Sequence, residues 1–482
     1  MIVPLIGAGV KGKSVVTNAQ RRLNCYLEPQ YDQDKSRVAV FGTPGTVQVL
    51  SNGATPFRGG LAEGELLYLA QGSVFYEVNN AFIVTDRNSA SRLTTTTGKV
   101  VMASSSNVIV LVDGTNGYNY TISGASFAQI VSAMFSSPRS VTWQDGYFLA
   151  SFDETGTNKK RCQISADGVT WNALDFRAVE TVPGALIRTY SFNGEVHQFT
   201  DKGIEFWAYT GDPTFPFQPI RGASLRVGLD ARHSVSEGAE ALYFLGRRHK
   251  GEAEPFRLIG HEAQSISTPD MQKIINDLAS TGDAVGYVYS IDGHEFYVLS
   301  WPVAGVTWMY DGYASGLLGV PVWSELQSNN GRHVGEFAFT LVNRIYVTDY
   351  TAGKLHRVDK GVYTDNGSAI AWQLDTRHFF KDYDSVTVDE LVADFEAGVG
   401  LNTGQGSDPL VMIQVSRDAG KTWGAERHVP MGKVGEYTRR AAASRFGTAR
   451  DFVFRLRITD PVKRVLGGLA VRASPEQVRQ VA

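Results

Sequence analysis

A glycine or asparagine turn followed by a short apolar strand recurs along the chain, and this recurrence limits the fold more than any other feature. Between Phe57 and Asp359 the units begin about 40–55 residues apart, and several show a second strand. A repeat of this length with several strands is typical of the blades of a β-propeller. The turns lie at Gly64, Asn107, Gly146, Gly194, Gly238, Gly293 and Asn343.

In a propeller, each unit also depends on its neighbours to bury its apolar faces. A four-stranded blade cannot cover both of its faces, whereas a ring of blades buries each face against a neighbour. We therefore predict an all-β protein in which residues 57–373 form a propeller of six to seven blades. The 50 glycines and the 11% of aromatic residues fit short strands joined by tight turns. Ordinary hairpins packed as sandwiches are the alternative.

One helix interrupts these strands, at Ser267–Leu278. Ser267 or Thr268 can accept a hydrogen bond from a free amide of the first turn, and Pro269 suits the first helical position. Asp270 complements the positive end of the helix dipole. We expect this single helix to be an insertion at the edge of a blade.

The pattern changes near Leu374, where a second β-rich region begins. Alternation in Phe452–Ile458 places Arg455 and Arg457 on the face opposite three apolar side chains. We predict an antiparallel β-sandwich at residues 374–473, followed by a polar tail at 474–482. Residues 1–56 are interpreted as an N-terminal arm with a lead-in strand.

Charge and cysteine content exclude some classes of protein. The net charge of −3 argues against a protein that wraps nucleic acid electrostatically, but not against one that DNA passes through. Cys25 and Cys162 are expected to be reduced thiols. We find no signal peptide and no apolar window long enough to span a membrane.

A phosphate-loop pattern occurs at Gly7–Ser14, which matches Gly-x-x-x-x-Gly-Lys-Ser. Such a loop needs a buried parallel strand before it and a helix after it. The preceding segment is short and contains Pro4, and the rest of the chain has a β pattern. We therefore expect a flexible glycine-rich arm and assign no cofactor-binding residue.

Two segments fit an Asp-box, the pattern Ser-x-Asp-x-Gly-x-Thr-Trp. The first is Ser416–Trp423, and Ser165–Trp171 is a shortened copy. The pattern predicts a hairpin turn in which the carboxylate accepts turn amides, glycine takes positive φ and tryptophan packs beneath. Asp-boxes recur in sialidases, so a glycan-processing or glycan-binding propeller is the alternative function. A sialidase would also need an arginine cluster, a tyrosine nucleophile with a partnering glutamate and usually a Phe-Arg-Ile-Pro start, and neither Phe-Arg-Ile-Pro nor Tyr-Arg-Ile-Pro occurs here.

No residue is assigned as catalytic or metal-binding. The nine histidines are isolated from one another, and His294 and His356 are interpreted as structural. The basic clusters are predicted to be solvated turns, with DNA phosphates or acids of a neighbouring subunit as alternative contacts. These clusters are Arg21-Arg22, Lys159-Lys160-Arg161, Arg247-Arg248-His249-Lys250 and Arg439-Arg440.

From about Ser14 to the C-terminus the chain resembles the packaged-DNA stabilisation proteins, or tail nozzle (tail hub) proteins, of short-tailed, podovirus-type bacteriophages. The helix Ser267–Leu278 with the strand Gly293–Leu299 is one similar segment, and Asn193–Tyr209 is another. The last is Asn18–Glu28, followed by Thr43-Pro44-Gly45.

The resemblance implies a structural, non-enzymatic role in the virion tail, after assembly in the host bacterial cytoplasm. It implies a homo-oligomer, a hexameric ring, that extends the DNA channel below the portal-adaptor ring protein. The implied partners also include distal tail needle or fibre/tailspike proteins and the double-stranded DNA in the channel. The ring would retain the packaged genome and take part in ejection. A soluble protein-binding propeller scaffold is a third possibility.

Overall fold

The computed structural model describes residues 2–30, 37–132, 135–152, 159–381 and 384–475. Outside these residues lie 1 and 31–36 of the predicted arm, 133–134 and 153–158 of the predicted propeller, 382–383 of the predicted sandwich and 476–482 of the polar tail. Four strands precede the first blade. They are β1 Arg21–Leu23, β2 Cys25–Pro29, β3 Val38–Gly42 and β4 Gly45–Ser51.

Four antiparallel sheets then follow one another, each built from four consecutive strands. Blade 1 has β5 Phe57–Glu63, β6 Leu66–Gln71, β7 Val74–Val78 and β8 Val84–Asp86. Blade 2 has β9 Val101–Ser104, β10 Val108–Val112, β11 Gly117–Thr121 and β12 Ser126–Gln129. Blade 3 has β13 Ser140–Gln144, β14 Tyr147–Ser151, β15 Arg161–Ser165 and β16 Phe176–Ala178. Blade 4 has β17 Leu186–Phe192, β18 Glu195–Thr200, β19 Ile204–Tyr209 and β20 Phe217–Leu225.

The next two blades carry insertions. In blade 5 a 3₁₀ turn at Arg232–Ser234 divides the first strand into β21 and β22, which both pair with β23. Its strands are β21 Val227–Leu229, β22 Ser236–Glu237, β23 Leu242–Arg248, β24 Ala253–Ile259 and β25 Glu262–Ser265. Blade 6 has β26 Val285–Ile291, β27 His294–Trp301, β28 Val306–Asp311 and β29 Trp323–Glu325, and a hairpin of β30 Gln327–Ser328 and β31 Gly331–Arg332 follows.

Blade 7 closes the ring with a strand from the other end of the propeller sequence. Strand β4 pairs antiparallel with β34, so the fourth strand of this blade precedes blade 1 in the chain. The consecutive strands are β32 Gly335–Leu341, β33 Arg344–Asp349 and β34 Lys354–Asp359, and the small hairpin β35 Thr364–Asp365 and β36 Ser368–Ala369 extends the sheet beyond β4. The first strands of blades 7 and 1 are in contact, which completes a ring of seven blades.

A separate apolar cluster fills each interface between neighbouring blades. Between blades 1 and 2, the ring of Phe75 lies 5.3 Å from that of Tyr120. Between blades 7 and 1, Leu50 and Leu355 pack against Phe57. Because every blade buries both faces in this way, the ring is held by side-chain packing as well as by the closing strand.

The C-terminal region is the predicted β-sandwich. Its strands are β37 Trp372–Asp375, β38 Val386–Phe395, β39 Leu410–Ser416, β40 Arg427–Pro430, β41 Ala441–Ala449, β42 Val453–Ile458 and β43 Val465–Pro475. The alternation predicted for β42 is confirmed, because Phe454, Leu456 and Ile458 are fully buried. The all-β class and the order propeller then sandwich are therefore both as predicted.

The sandwich recruits strands from the N-terminal segment. One sheet has the order β2-β3-β43-β38-β41. The other, β1-β37-β42-β39-β40, continues through β1 into blade 6, because β1 also pairs with β29. Residues 1–56 thus supply three strands to the sandwich and one to the propeller. The domain boundaries at residues 57, 374 and 474 stay predictions.

The prediction of one inserted helix is wrong, since the described residues contain two. Helix α1, Pro269–Asn276, is the predicted one, and the Thr268 hydroxyl accepts from the Met271 amide at 3.2 Å. Helix α2, Gly312–Leu318, lies between β28 and β29 and was missed because its sequence contains two glycines, which favour non-helical structure. Neither helix, nor the 3₁₀ turn, is long and apolar enough to cross a membrane.

Truncating the closing strand at Leu50 should destabilise the ring. Leu50→Ala removes a side chain that is 9% exposed between blades 7 and 1, and we expect a loss of about 2–4 kcal/mol in unfolding free energy. Urea denaturation measures it. The control Leu317→Ala, at a side chain 47% exposed, should change stability by less than about 0.5 kcal/mol. Equal effects of the two changes would contradict closure by β4.

Candidate functional site at the joint of propeller and sandwich

Strand β1 brings a buried arginine to the joint between the two domains. Arg22 is 2% exposed, its Nε donates to the Trp323 carbonyl at 3.2 Å, and its Nη2 donates to the Gly7 carbonyl at 2.7 Å. Burial lowers the pKa of Arg22 to about 10, although the charge of Asp311 opposes this. The guanidinium therefore stays charged at neutral pH and ties blade 6 to the N-terminal segment.

A buried histidine forms a second link nearby. His294 of β27 has no exposed surface; its Nδ1 lies 2.8 Å from Asp311 Oδ2 and its Nε2 lies 2.9 Å from Glu28 Oε2. Asp311 also caps α2 through the Ala314 amide, and Glu28 belongs to β2 of the sandwich. A neutral imidazole has one N–H, so two carboxylate contacts require the doubly protonated ring.

The electrostatics of His294 agree with this geometry. Burial alone lowers the pKa of His294, but the hydrogen bonds and charges of Asp311 and Glu28 outweigh burial and raise it. The imidazolium therefore joins a propeller blade to the sandwich through a charge-assisted pair of hydrogen bonds. His356 is likewise buried and lies 3.4 Å from Asp349. Both histidines have structural contacts, as their sequence positions predicted.

The glycine-rich loop Gly7–Ser14 packs against the same joint. The backbone N–H of Gly9 donates to Gln20 Oε1 at 3.2 Å, and that of Lys13 donates to Asp270 Oδ1 at 3.0 Å. Gly9 has φ +73°, and a Cβ there would lie 2.1 Å from Arg22 Nε, so the glycine makes room for the arginine.

This loop lacks the arrangement of a phosphate loop. No helix begins in residues 10–20. The Lys13 amide, which would have to donate to a phosphate, donates to the Asp270 carboxylate instead. Val10 is fully buried among Met271 and Ile275 of α1. The pattern therefore arises from close packing of glycines around Arg22 and Gln20. It differs from the expected free arm because Asp270 and Trp323, which bind Lys13 and Ala8, come from a distant part of the chain that local sequence does not show.

The longer Asp-box forms the predicted turn. Asp418 Oδ1 accepts from the amides of Lys421 and Thr422, and Asp418 Oδ2 accepts from the Thr422 hydroxyl at 2.6 Å. Gly420 has φ +86°, and the Trp423 ring lies beneath the guanidinium of Arg455 at 3.8 Å. These hydrogen bonds, the Thr422 hydroxyl first, lower the pKa of Asp418 to about 2.

The shorter copy has the same geometry in blade 3. Asp167 Oδ1 accepts from the amides of Val169 and Thr170, and Trp171 is buried. Gly168 takes φ +71°. In both turns the carboxylate is occupied by backbone donors, so the Asp-boxes stabilise hairpins.

The basic clusters differ from one another. Arg21-Arg22 is not the predicted solvated turn, because both residues lie in β1 and Arg21 pairs with Glu325 at 2.8 Å. Arg247 pairs with Asp230 at 2.8 Å near the end of β23. Arg439 and Arg440 are exposed before β41, as predicted.

The described residues show little that suits catalysis. A groove of about 1120 Å³ runs between the N-terminal segment and the sandwich, and its lining carboxylate, Asp451, is paired with His378 at 2.8 Å. A glycosidase needs two facing carboxyl groups. No group of three His, Cys, Asp or Glu side chains in the described residues is placed to hold a metal ion. Cys25 and Cys162 are buried free thiols.

Two family models cover nearly all of the chain. The model described as "Bacteriophage P22 Gp10, beta-propeller" matches residues 26–363, and "Bacteriophage P22 Gp10, beta-sandwich" matches residues 371–474. The chain belongs to the bacteriophage P22 Gp10 family. This family comprises tail nozzle and DNA-stabilisation proteins of podoviruses, so the protein is a structural component of the virion tail. The resemblance read from the sequence is thereby confirmed.

Other comparisons add no functional argument. A search of curated proteins gave no match. Among solved structures, a streptogramin B lyase is 11% identical with a TM-score of 0.41, over 70% of this chain and 98% of the lyase. Virginiamycin B lyase from Staphylococcus aureus is 11% identical with a TM-score of 0.43, over 64% and 97%. The Pan2 WD40 domain from Neurospora crassa is 9% identical with a TM-score of 0.40, over 63% and 89%.

The link through His294 should make stability fall as pH rises. The pKa of His294 is higher in the folded chain than in the unfolded one, so its stabilisation is complete below the unfolded value of about 6.5. It is lost as pH rises through the folded value. Thermal unfolding of His294→Gln should therefore depend less on pH above 6.5 than the wild type. The control His428→Gln, at an exposed histidine, should follow the wild type, and parallel curves for all three would contradict the link.

Removing the Asp418 carboxylate should lower the unfolding free energy of the sandwich. Asp418→Ala loses the acceptor of two turn amides, and we expect a cost of about 1 kcal/mol in urea denaturation. Asp408→Ala, which removes one exposed ion pair with Lys433, should cost less. The structural role would be contradicted if the wild type hydrolysed a sialylated substrate and Asp418→Ala abolished that activity.

Proposed function

We propose that the protein forms a homohexameric nozzle or hub ring in the phage tail. The ring extends the DNA channel below the portal-adaptor assembly, retains the packaged genome and takes part in ejection without catalysing a reaction. It contacts the adaptor above and the needle, fibre or tailspike proteins below. Assembly takes place in the host cytoplasm. The match of both P22 Gp10 models, propeller and sandwich, is the observation that carries this proposal.

The architecture of the protein supports a role as a stiff wall. The ring has seven packed blades and a closing strand, and one of its sheets continues into the sandwich. These features restrict motion of the two domains relative to each other. A wall around pressurised DNA needs such stiffness. The net charge of −3 also suits a conduit, because a strongly basic lumen would bind the polyanion and slow its passage.

The glycine-rich loop and α1 form one surface that suits a contact between subunits. The bond from the Lys13 amide to Asp270 holds the loop against the start of α1. Val16, beside this bond in sequence, is 52% exposed. A cyclic ring needs two different complementary surfaces on each copy, and an exposed apolar side chain just after a well-fixed loop suits one of them.

The ring is tested by placing a charge on this surface. Val16→Glu should reduce the fraction of purified protein found as closed six-copy rings several-fold, because a carboxylate in an interface is costly to desolvate. Negative-stain electron microscopy and mass photometry measure the fraction. Val131→Glu, at a side chain 92% exposed between blades 2 and 3, is the matched control and should assemble normally.

Particles assembled with each variant test whether the ring retains the packaged genome. Those made with Val16→Glu should retain less DNA after packaging than those made with Val131→Glu. A wild-type protein that stayed monomeric, alone and with tail components, would refute the ring. If the purified protein formed normal rings but particles lacking it still retained all of their DNA, the proposed role in genome retention would be refuted.

A further inference from the structure

A cavity of about 150 Å³ lies at the joint, between blades 6 and 7 and the sandwich. Three cationic side chains line it, Lys360 from the propeller and Lys463 and Arg464 from the sandwich. Two tyrosines, Tyr26 and Tyr363, line it as well. A water occupies about 30 Å³ in the liquid, so the space suits an ion of several heavy atoms.

Arg464 is the side chain that needs a partner. It is 1% exposed, with Nη1 donating to the Ile370 carbonyl at 2.8 Å and Nη2 to the Thr43 carbonyl at 3.3 Å. A guanidinium has five N–H donors, and Nε has no hydrogen-bond partner in the described residues. No carboxylate of the described chain forms an ion pair with Arg464. Burial lowers the pKa of Arg464 to about 10, and the charge of Asp365 opposes this without forming an ion pair. A buried guanidinium with an unused donor and no ion pair is costly, which favours a closer anion.

The rest of the cavity favours a negative ligand. Lys463 pairs with Glu396 at 2.8 Å and Lys360 pairs with Asp292, whereas Arg464, the third cation, forms no ion pair with a described carboxylate. Burial raises the pKa of Tyr363, so its hydroxyl is neutral near pH 7 and can donate. The same holds for Tyr26, whose pKa burial also raises.

We propose that this cavity binds one phosphate-class oxyanion. Arg464 supplies the buried charge, while Lys360 and Lys463 meet the ion from opposite sides and the two tyrosine hydroxyls donate to its remaining oxygens. Because Lys360 follows the last propeller blade and Lys463 precedes β43, the ion cross-links the two domains. Several charge-assisted donors around one small space are the arrangement that a tetrahedral oxyanion requires.

Titration with inorganic phosphate tests the site. Calorimetry at low millimolar phosphate, with chloride holding the ionic strength constant, should show one saturable site, and the same phosphate should raise the unfolding temperature. Lys360→Met/Lys463→Met should bind at least about tenfold more weakly, since two charge-assisted donors are lost. Arg464 is left intact so that the core is not disturbed. Lys433→Met, which removes a lysine paired with Asp408 away from the cavity, should bind like the wild type.

A second arm identifies where the phosphate comes from. A 20-base-pair DNA duplex is added as competitor at equal phosphate concentration. Displacement of inorganic phosphate by the duplex assigns the site to the nucleic-acid backbone, and no displacement assigns it to a free ion. Absence of saturable binding by both ligands, or equal affinity of the wild type and the double variant with both folded by circular dichroism, would overturn the proposal.

Discussion

Three residues of β1 place the propeller and the sandwich in one hydrogen-bonded sheet, and the rest of the architecture depends on this strand. Leu23 pairs with Glu325 of blade 6 on one side and with Gln373 of the sandwich on the other. The buried guanidinium of Arg22 belongs to this strand, and the imidazolium of His294 contacts Glu28 of the next strand, β2. A buried pair is strongly destabilising to break, so the joint resists separation of the domains more than a surface contact would.

The N-terminal segment has two structural roles because its strands join different domains. Strands β1 to β3 complete the sandwich, whereas β4 closes the propeller ring. Only Thr43 and Pro44 separate β3 from β4, so the strand that closes the ring is anchored directly to the sandwich. This coupling makes the chain one mechanical unit rather than two linked domains.

Local patterns predicted what is local in this fold. The blade repeat, α1 with its Thr268 cap, the turns of both Asp-boxes and the buried face of β42 all follow from residues close together in sequence. The joint was not predictable in this way. Strand β1 pairs with residues about 300 positions away, and neither Arg22 nor His294 has a local signature, since their partners come from other parts of the chain. Helix α2 was missed because tertiary packing and the Asp311 cap override its weak propensity.

Hydrogen exchange across the joint tests the central claim most directly. Mass spectrometry can follow the amides of β29, β1 and β37 in the intact protein under native conditions. If β1 unites the two domains, the three strands exchange slowly and lose protection together, in one cooperative unfolding step. Fast exchange in β1, or loss of protection in β37 while β29 stays protected, would show that the sandwich opens by itself and would contradict the account.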